Sequence, residues 1–192
     1  VITFTDKGYI KRQSLESYKL QKRGGRGISG MTRREEDVAN EMLIINSHDY
    51  VLVFTNKGRA YRIKCYEIPE GSRTSKGMNI SNLLPIDQEE QVTSMIKVSE
   101  FLDNKYLVML TKHGVIKRIE LNAFDKIRKT GIIALELDDG DELKWVKLTE
   151  GESELIIATK KGMSIRFKET DVRAVGRTAR GVRSMRLKDS DE

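Results

Sequence analysis

The segment from residue 21 to residue 27 concentrates the chemical groups that bind phosphate. It holds three cations and three glycines within seven residues. Glycine lets the backbone approach a phosphate closely, the cations neutralise its charge, and a glutamine side chain can donate a further hydrogen bond. We call this segment the box, and it therefore predicts a binding site for a polyanion. Its residues are Gln21, Lys22, Arg23, Gly24, Gly25, Arg26 and Gly27.

Leaner forms of the same pattern recur downstream. Residues 71–77 read GSRTSKG, and residues 176–181 read GRTARG. The last glycine of the box and of both leaner forms lies 19 residues after the glycine of an upstream turn, and Gly131 lies 17 residues after its own. Each of these glycines has basic residues before it and an apolar residue after it. The phosphate-binding pattern is therefore part of a longer repeat, which reads as a hairpin, a loop, a basic glycine turn and then another strand.

The elements that must position these segments are four similar hairpins. Each joins an apolar run, a polar cluster ending in glycine, and a second run ending in basic residues. Short runs rich in Val, Ile, Leu, Phe and Thr around a glycine turn predict a β-hairpin. The four hairpins cover residues 1–12, 51–62, 107–118 and 155–166, with turn glycines Gly8, Gly58, Gly114 and Gly162. Further strands are predicted at 42–45, 92–98 and 143–148.

Four β units of about 48 residues each predict an all-β, propeller-like fold of about four antiparallel blades. We expect one repeat domain over residues 1–192, with approximate repeats 1–40, 41–90, 91–141 and 142–192. The first repeat lacks the strand that precedes the others, and the sequence stops where a fifth repeat would begin. The four units are therefore expected to form an open arc.

The charge of the chain favours a polyanionic partner. Lys and Arg number 35 and Asp and Glu 29, which gives a net charge of +6. Because the basic residues recur after each hairpin and around each downstream glycine, a radial repeat would align them as a belt on the rim. Few aromatic residues accompany them, which disfavours stacking on single strands and favours the duplex backbone. The predicted rim contacts are Arg12, Arg62, Arg73, Lys76, Lys117, Arg118, Arg128, Lys129, Arg166, Arg177, Arg180 and Arg183.

Several other functions lack the residues that they need. The apolar runs are far shorter than the ~20 residues of a membrane helix, and the first residues do not resemble a signal peptide. The single Cys65 excludes an intrachain disulfide and fits a reducing cytosol, and with His48 and His113 it cannot form an ordinary zinc site. A P-loop motif is absent from the sequence, and we find no catalytic constellation. We therefore expect neither a metal nor a cofactor in this chain.

The box resembles the family pattern Q-R-R-G-G-K-G of the C-terminal domain of DNA gyrase A. The sequence departs from that pattern by Lys22 for arginine and Arg26 for lysine, and both changes keep the charge. The hairpins also resemble the repeat of this family, and the resemblance covers essentially the whole chain. It implies a β-pinwheel, of which the four repeats would be part of a six-bladed domain.

The resemblance also implies a function. Such a domain bends duplex DNA around its basic rim with a positive hand and presents a segment to the DNA gate of a type II topoisomerase. Passage of that segment introduces negative supercoils at the expense of ATP. The box would be needed for wrapping. The implied partners are duplex DNA, the N-terminal breakage-reunion domain of gyrase A, and gyrase B in an A2B2 enzyme that uses ATP and Mg elsewhere. The implied location is the bacterial cytoplasm, at the chromosome.

Two alternatives remain open from the sequence. The first is the related C-terminal domain of topoisomerase IV, in whose family the box is degenerate. The second is a propeller-like scaffold that binds an acidic protein, which predicts a binding face with apolar anchors. A DNA-wrapping domain instead predicts an affinity that falls steeply with salt and depends little on base sequence.

Overall fold

The computed structural model describes residues 1–18, 23–25, 37–72, 74–188 and 191–192. The helices within these residues are single 3-10 turns, too short to cross a lipid bilayer. The strands are β1 (Ile2–Thr5), β2 (Tyr9–Arg12), β3 (Ala39–Leu43), β4 (Tyr50–Thr55), β5 (Arg59–Lys64), β6 (Met78–Asn79), β7 (Val92–Val98), β8 (Tyr106–Thr111), β9 (Val115–Glu120), β10 (Ile132–Ile133), β11 (Leu143–Thr149), β12 (Glu154–Ala158), β13 (Ser164–Lys168) and β14 (Val182–Arg183).

These strands form three four-stranded sheets and one two-stranded hairpin. The strand orders are β3-β1-β2-β6 in sheet 1, β10-β5-β4-β7 in sheet 2, β11-β8-β9-β14 in sheet 3, and β12-β13 in the last hairpin. All the pairings between these strands are antiparallel. The predicted all-β architecture of antiparallel repeats is confirmed, and so are the four hairpins.

Each hairpin closes through the same local chemistry. The amide of the turn glycine donates to the carbonyl of a threonine three residues earlier, as from Gly58 to Thr55 at 3.0 Å. The four turn glycines have φ between 73° and 85°, in the left-handed region that side chains other than glycine adopt at a cost. The threonines themselves are buried. The recurrent Thr-x-x-Gly spacing therefore specifies the four turns locally.

The hydrophobic core lies between consecutive sheets. In β4, Val51 and Val53 face sheet 1, whereas Leu52 and Phe54 face sheet 3. Because successive side chains of a strand point to opposite faces, a strand buried on both faces reads as a continuous apolar run. Between sheet 3 and the last hairpin the core is smaller and centres on Val108.

The short fourth strand of each sheet comes from the following repeat. Met78 and Asn79 lie downstream of the second hairpin but pair with Ile10 and Tyr9 of the first. Strand β10 pairs with β5, and β14 with β9, in the same manner. Each four-stranded sheet therefore draws on two repeats of the sequence. The repeat boundaries assigned from the sequence stay a prediction.

Candidate nucleic-acid interface

Three basic loops lie at equivalent positions in the fold. Each follows a 3-10 turn (Cys65–Glu67, Leu121–Phe124 or Glu169–Asp171) and leads to the short strand at the edge of the preceding sheet. We call them loop 1 (residues 69–77, without residue 73), loop 2 (residues 125–131) and loop 3 (residues 173–181). Strand exchange therefore brings the recurrent basic segments to the same edge of three consecutive sheets.

Loops 1 and 3 dock on the preceding hairpin through the same backbone contacts. The Gly71 amide donates to the Arg12 carbonyl at 3.0 Å, and the Val175 amide donates to the Arg118 carbonyl at 3.0 Å. A parallel β-bridge accompanies each contact. Loop 2 is held differently, by a hydrogen bond of 2.9 Å from the Arg59 guanidinium to the Thr130 carbonyl. Loops 1 and 3 are therefore held by equivalent contacts, whereas loop 2 is held by a different one.

The glycine that ends each loop passes close to the preceding sheet. A Cβ atom at Gly77 would lie 2.5 Å from the carbonyl oxygen of Ile10, and one at Gly181 would lie 2.7 Å from that of Ile116. At Gly131 a Cβ would lie 2.5 Å from the ring of Tyr61. These distances leave no room for a side chain, which explains why glycine recurs at this point.

We expect Gly77→Ala to lower the free energy of unfolding by about 2 kcal/mol, since it combines left-handed strain with a backbone clash. The change is measured by urea denaturation. Gly140→Ala is the matched control, because Gly140 also has a positive φ of 76° but open space around it. It should cost only about 1 kcal/mol. Equal losses in the two variants would contradict the close-approach explanation.

The loops carry most of the exposed cations among the predicted rim residues. The Lys129 side chain is 96% exposed and lies 4.0 Å from Glu67, and the Arg180 side chain is 77% exposed beside Glu136 and Asp138. Cations that keep this exposure can reach a phosphate at little cost of desolvation. Arg128 in loop 2 is also exposed, as is Arg183 on β14. Lys76 and Arg177 in loops 1 and 3 are half-buried, and the Lys76 ammonium lies 3.4 Å from the centroid of the Tyr9 ring.

The four predicted rim arginines at the ends of the hairpins are paired with carboxylates. Arg12 lies 3.7 Å from Glu70, Arg62 3.5 Å from Asp125, and Arg118 3.5 Å from Glu169, while Arg166 pairs with Glu154. The first three pairs join a sheet to the following repeat. Arg62 and Arg118 also stack over tyrosine rings. The structure thus gives Arg12, Arg62 and Arg118 a structural role, whereas the Arg166 side chain stays 64% exposed. Contacts of these four arginines with DNA stay a prediction.

Lys117 does not fit the predicted rim. It is only 1% exposed, and its ammonium donates to the carbonyls of Ala134 at 3.0 Å and Arg177 at 2.6 Å. Burial lowers the pKa of Lys117 to about 8, and the nearby Glu136 offsets part of this shift. A side chain held in this way is not available to a phosphate, so we leave Lys117 out of the interface.

Lys11 was not among the sequence candidates, although it occupies the same hairpin position as Lys117, three residues after the turn glycine. It is 0% exposed, and burial lowers its pKa. Its ammonium donates to the carbonyls of Ser72 and Ser75, each at 3.0 Å. The sequence signal that indicates Lys11 is the recurrence of a lysine at this position in two hairpins.

The box is described only at Arg23, Gly24 and Gly25, all of which are exposed. Gly24 has a φ of 83° with open space around it. An exposed arginine followed by glycine suits the close approach of a phosphate. The remaining predicted contacts of the box lie outside the described residues, as does the predicted rim residue Arg73; they are Gln21, Lys22, Arg26 and Gly27.

Comparison with protein families gives a match over nearly the whole chain. The family described as "DNA gyrase C-terminal domain, beta-propeller" matches residues 1–45, 49–99, 105–150 and 153–192. Among similar proteins, the DNA gyrase A protein of Halalkalibacterium halodurans is 51% identical over 96% of this chain. The DNA gyrase A protein of Escherichia coli K12 is 41% identical over 100% of it. In both cases the match spans 22% of the relative's length.

Two solved structures share the fold over 99% of this chain. The C-terminal domain of DNA topoisomerase IV superposes with a TM-score of 0.84, and the DNA gyrase A C-terminal domain with a TM-score of 0.77. Each is 33% identical to this chain, which covers 58% and 61% of their respective lengths. The arrangement of sheets described above therefore recurs in both.

Proposed function

Since the chain belongs to the family of DNA gyrase C-terminal domains with a beta-propeller fold, we propose that it binds duplex DNA without sequence preference. The binding surface is made of the three basic loops and the box. The observation that carries this proposal is the recurrence of a basic, glycine-containing loop at the same edge of three consecutive sheets. Backbone binding needs cations and close approach rather than base readout, and these loops offer both.

Wrapping follows if one duplex contacts several loops at once. Bending a site of 20–30 bp by 40–90° costs on the order of 1–6 kcal/mol. A few phosphate contacts with release of counterions can offset this cost at moderate salt. The exposed cations of loops 2 and 3, with Arg23 of the box, would make such contacts. The bound duplex would then follow the edge from sheet to sheet with a positive hand.

The role in the complete protein is part of the same proposal. The chain spans about a fifth of the length of the gyrase A relatives it matches. Within that longer protein the wrapped DNA would present a segment to the gate of the breakage-reunion domain. Together with gyrase B, in the bacterial cytoplasm, the enzyme would use ATP to pass that segment and introduce negative supercoils. This chain would supply the DNA contacts and leave the catalysis to the rest of the enzyme.

The test is a measurement of DNA topology. Relaxed circles are incubated with the protein, treated with a nicking-closing enzyme and deproteinised. We expect a positive change in linking number that fades as salt rises. The variant Lys22→Ala/Arg23→Ala/Arg26→Ala should lose most of this change. Lys112→Ala/Lys144→Ala/Lys160→Ala, which removes the same charge from lysines paired with Glu142 and Glu192, should keep it.

Two outcomes would count against the proposal. Absence of duplex binding at low salt would refute it and favour the protein-interaction scaffold. Binding without any change in topology would refute wrapping by this chain, while leaving the binding surface intact.

The C-terminal domain of topoisomerase IV is the second candidate, because its solved structure superposes with the higher TM-score. The two candidates differ in their dependence on the box. A linking-number change that survives the triple substitution in the box would favour the topoisomerase IV type.

A further inference from the structure

We propose that Lys11 and Lys117 are positioning residues, each of which holds a basic loop of the following repeat in the conformation that meets DNA. The DNA part of this inference rests on the proposed function. The anchoring part does not, because it concerns contacts within the protein. Lys11 serves loop 1 and Lys117 serves loop 3.

Lys11 and Lys117 lie about a hundred residues apart in the sequence, yet they make equivalent contacts. Each lies on the second strand of a hairpin, three residues after the turn glycine, and each reaches into the loop that crosses this strand. Lys11 binds two carbonyls of loop 1, and Lys117 binds the carbonyl of Arg177 in loop 3 together with that of Ala134. The same device thus occurs twice, which a chance burial of one lysine would not produce.

The burial of both lysines distinguishes a positioning role from direct contact with DNA. A lysine ammonium loses much hydration energy inside a protein and is seldom fully buried unless polar groups replace the water. Here backbone carbonyls replace it, and the side chains of Lys11 and Lys117 are at most 1% exposed. The charge therefore acts through the loop that it holds. It also adds positive potential directly beneath the exposed cations of that loop.

The second hairpin provides a natural contrast. Tyr61 takes the equivalent position, and its ring packs against Gly131 of loop 2. Its hydroxyl donates to the carboxylate of Glu90 at 3.0 Å. Burial and the neighbouring Glu90 raise the pKa of Tyr61 to about 12, so it stays neutral. Loop 2 is therefore held without a buried cation beneath it. Because Lys117 also binds the Ala134 carbonyl, three residues beyond the end of loop 2, it is loop 1 that should not respond to changes at Lys117.

The pH dependence of DNA affinity distinguishes a charged Lys117 that holds the loop from a side chain that only fills space. With a pKa of about 8, the ammonium is charged at neutral pH and loses its proton as the pH rises above 8. The charged groups near it are Glu136, which raises its pKa, Arg177, whose carbonyl it binds, and Arg180, which pairs with Glu136. The adjacent Arg118 pairs with Glu169. Since the folded-state pKa lies below the ordinary value of 10.5, this group makes folding more favourable as pH rises from about 8 to 10.5. A loss of DNA affinity in that range would therefore not reflect unfolding caused by Lys117.

The experiment compares wild type, Lys117→Met and Lys117→Arg. Amide hydrogen exchange at neutral pH should become at least about tenfold faster in loop 3 of Lys117→Met and stay unchanged in loop 1, which Lys11 holds. Affinity for a short duplex of arbitrary sequence should fall about fivefold, and Lys117→Arg should restore most of it. Between about pH 7 and pH 9.5 the affinity of wild type should fall, whereas that of Lys117→Arg should not.

The results separate this inference from the proposed function. If wild type binds no duplex but Lys117→Met still loosens loop 3, the proposed function fails and the anchoring stands. If affinity falls while exchange in loop 3 is unchanged, Lys117 is a direct contact and the inference is overturned. Should Lys117→Met fail to fold, the pH comparison of wild type with Lys117→Arg decides. Parallel profiles of these two proteins would overturn the inference.

Discussion

Glu169→Gln is expected to lower the free energy of unfolding by about 4 kcal/mol, because it leaves a largely buried arginine without its charged partner. Glu169 is 0% exposed. Its carboxylate accepts hydrogen bonds from the Thr149 hydroxyl at 2.6 Å, the Gly151 amide at 3.0 Å and the Ser153 amide at 2.6 Å, and it lies 3.5 Å from Arg118. A glutamine would place an NH2 group against some of these donors. The loss is measured by urea denaturation.

Glu154→Gln is the matched control, because the ion pair of Glu154 with Arg166 is exposed to solvent. Exposed pairs contribute at most about 1 kcal/mol, so we expect a change of that size or less. Similar losses in the two variants would contradict a special role for the buried carboxylate.

Glu169 also predicts how the stability of the fold depends on pH. Burial raises the pKa of Glu169, but the hydrogen bonds from Thr149 and Ser153 and the contact with Arg118 outweigh burial and leave the pKa below its ordinary value of 4.5. A carboxyl group with a lowered pKa stabilises the fold above pH 4.5, and this contribution is lost as pH falls through the folded-state pKa. The acid branch of the stability profile should therefore be shallower in Glu169→Gln than in wild type.

Removing one cation from each basic loop should weaken duplex binding several hundredfold at roughly 0.1 M salt. The variant is Lys76→Ala/Lys129→Ala/Arg180→Ala. Each phosphate contact contributes about 0.9 to the slope of log affinity against log salt, so the slope should become less steep by about 3. Fluorescence anisotropy with a short duplex over a range of salt measures both quantities.

The control for net charge is again Lys112→Ala/Lys144→Ala/Lys160→Ala. Lys112 and Lys160 lie in hairpin turns, and Lys144 lies on β11, at the edge of sheet 3 opposite β14. Their ammonium groups pair with Glu142 or Glu192. We expect affinity within about threefold of wild type and an unchanged slope. Equal weakening in both triple variants would mean that net charge, and not the loops, governs binding.

Much of the architecture could be predicted from particular residues. The strand predicted at 92–98 matches β7, and those predicted at 42–45 and 143–148 overlap β3 and β11. These successes depend on local signals, namely β-rich runs and glycine turns. The strand predicted after each basic glycine turn is confirmed by β6, β10 and β14, which begin directly after Gly77, Gly131 and Gly181, but its length could not be predicted. Two residues do not show the alternation that identifies a longer strand.

The candidate site was predicted less completely. Sequence reasoning found the three loops, because basic residues recur beside their glycines. It could not separate the cations that stay exposed, such as Lys129, from those that pair, such as Arg118, or from the buried Lys117. Such a separation depends on carboxylates and carbonyls that lie 17 to 60 residues away in sequence. No local pattern records which of these groups will be near.

By itself the sequence determined the four hairpins, their spacing, the all-β class and the resemblance carried by the box. Turns and alternating strands are set by the conformational preferences of neighbouring residues, so a single sequence is enough to indicate them. Only the tertiary structure decided that each short strand completes the preceding sheet, and therefore which hairpin each basic loop crosses. Backbone groups at a sheet edge accept any strand of suitable register, and the choice among edges depends on packing across the whole chain. That choice buries Lys11 and Lys117 beneath the loops and leaves Lys129 and Arg180 exposed.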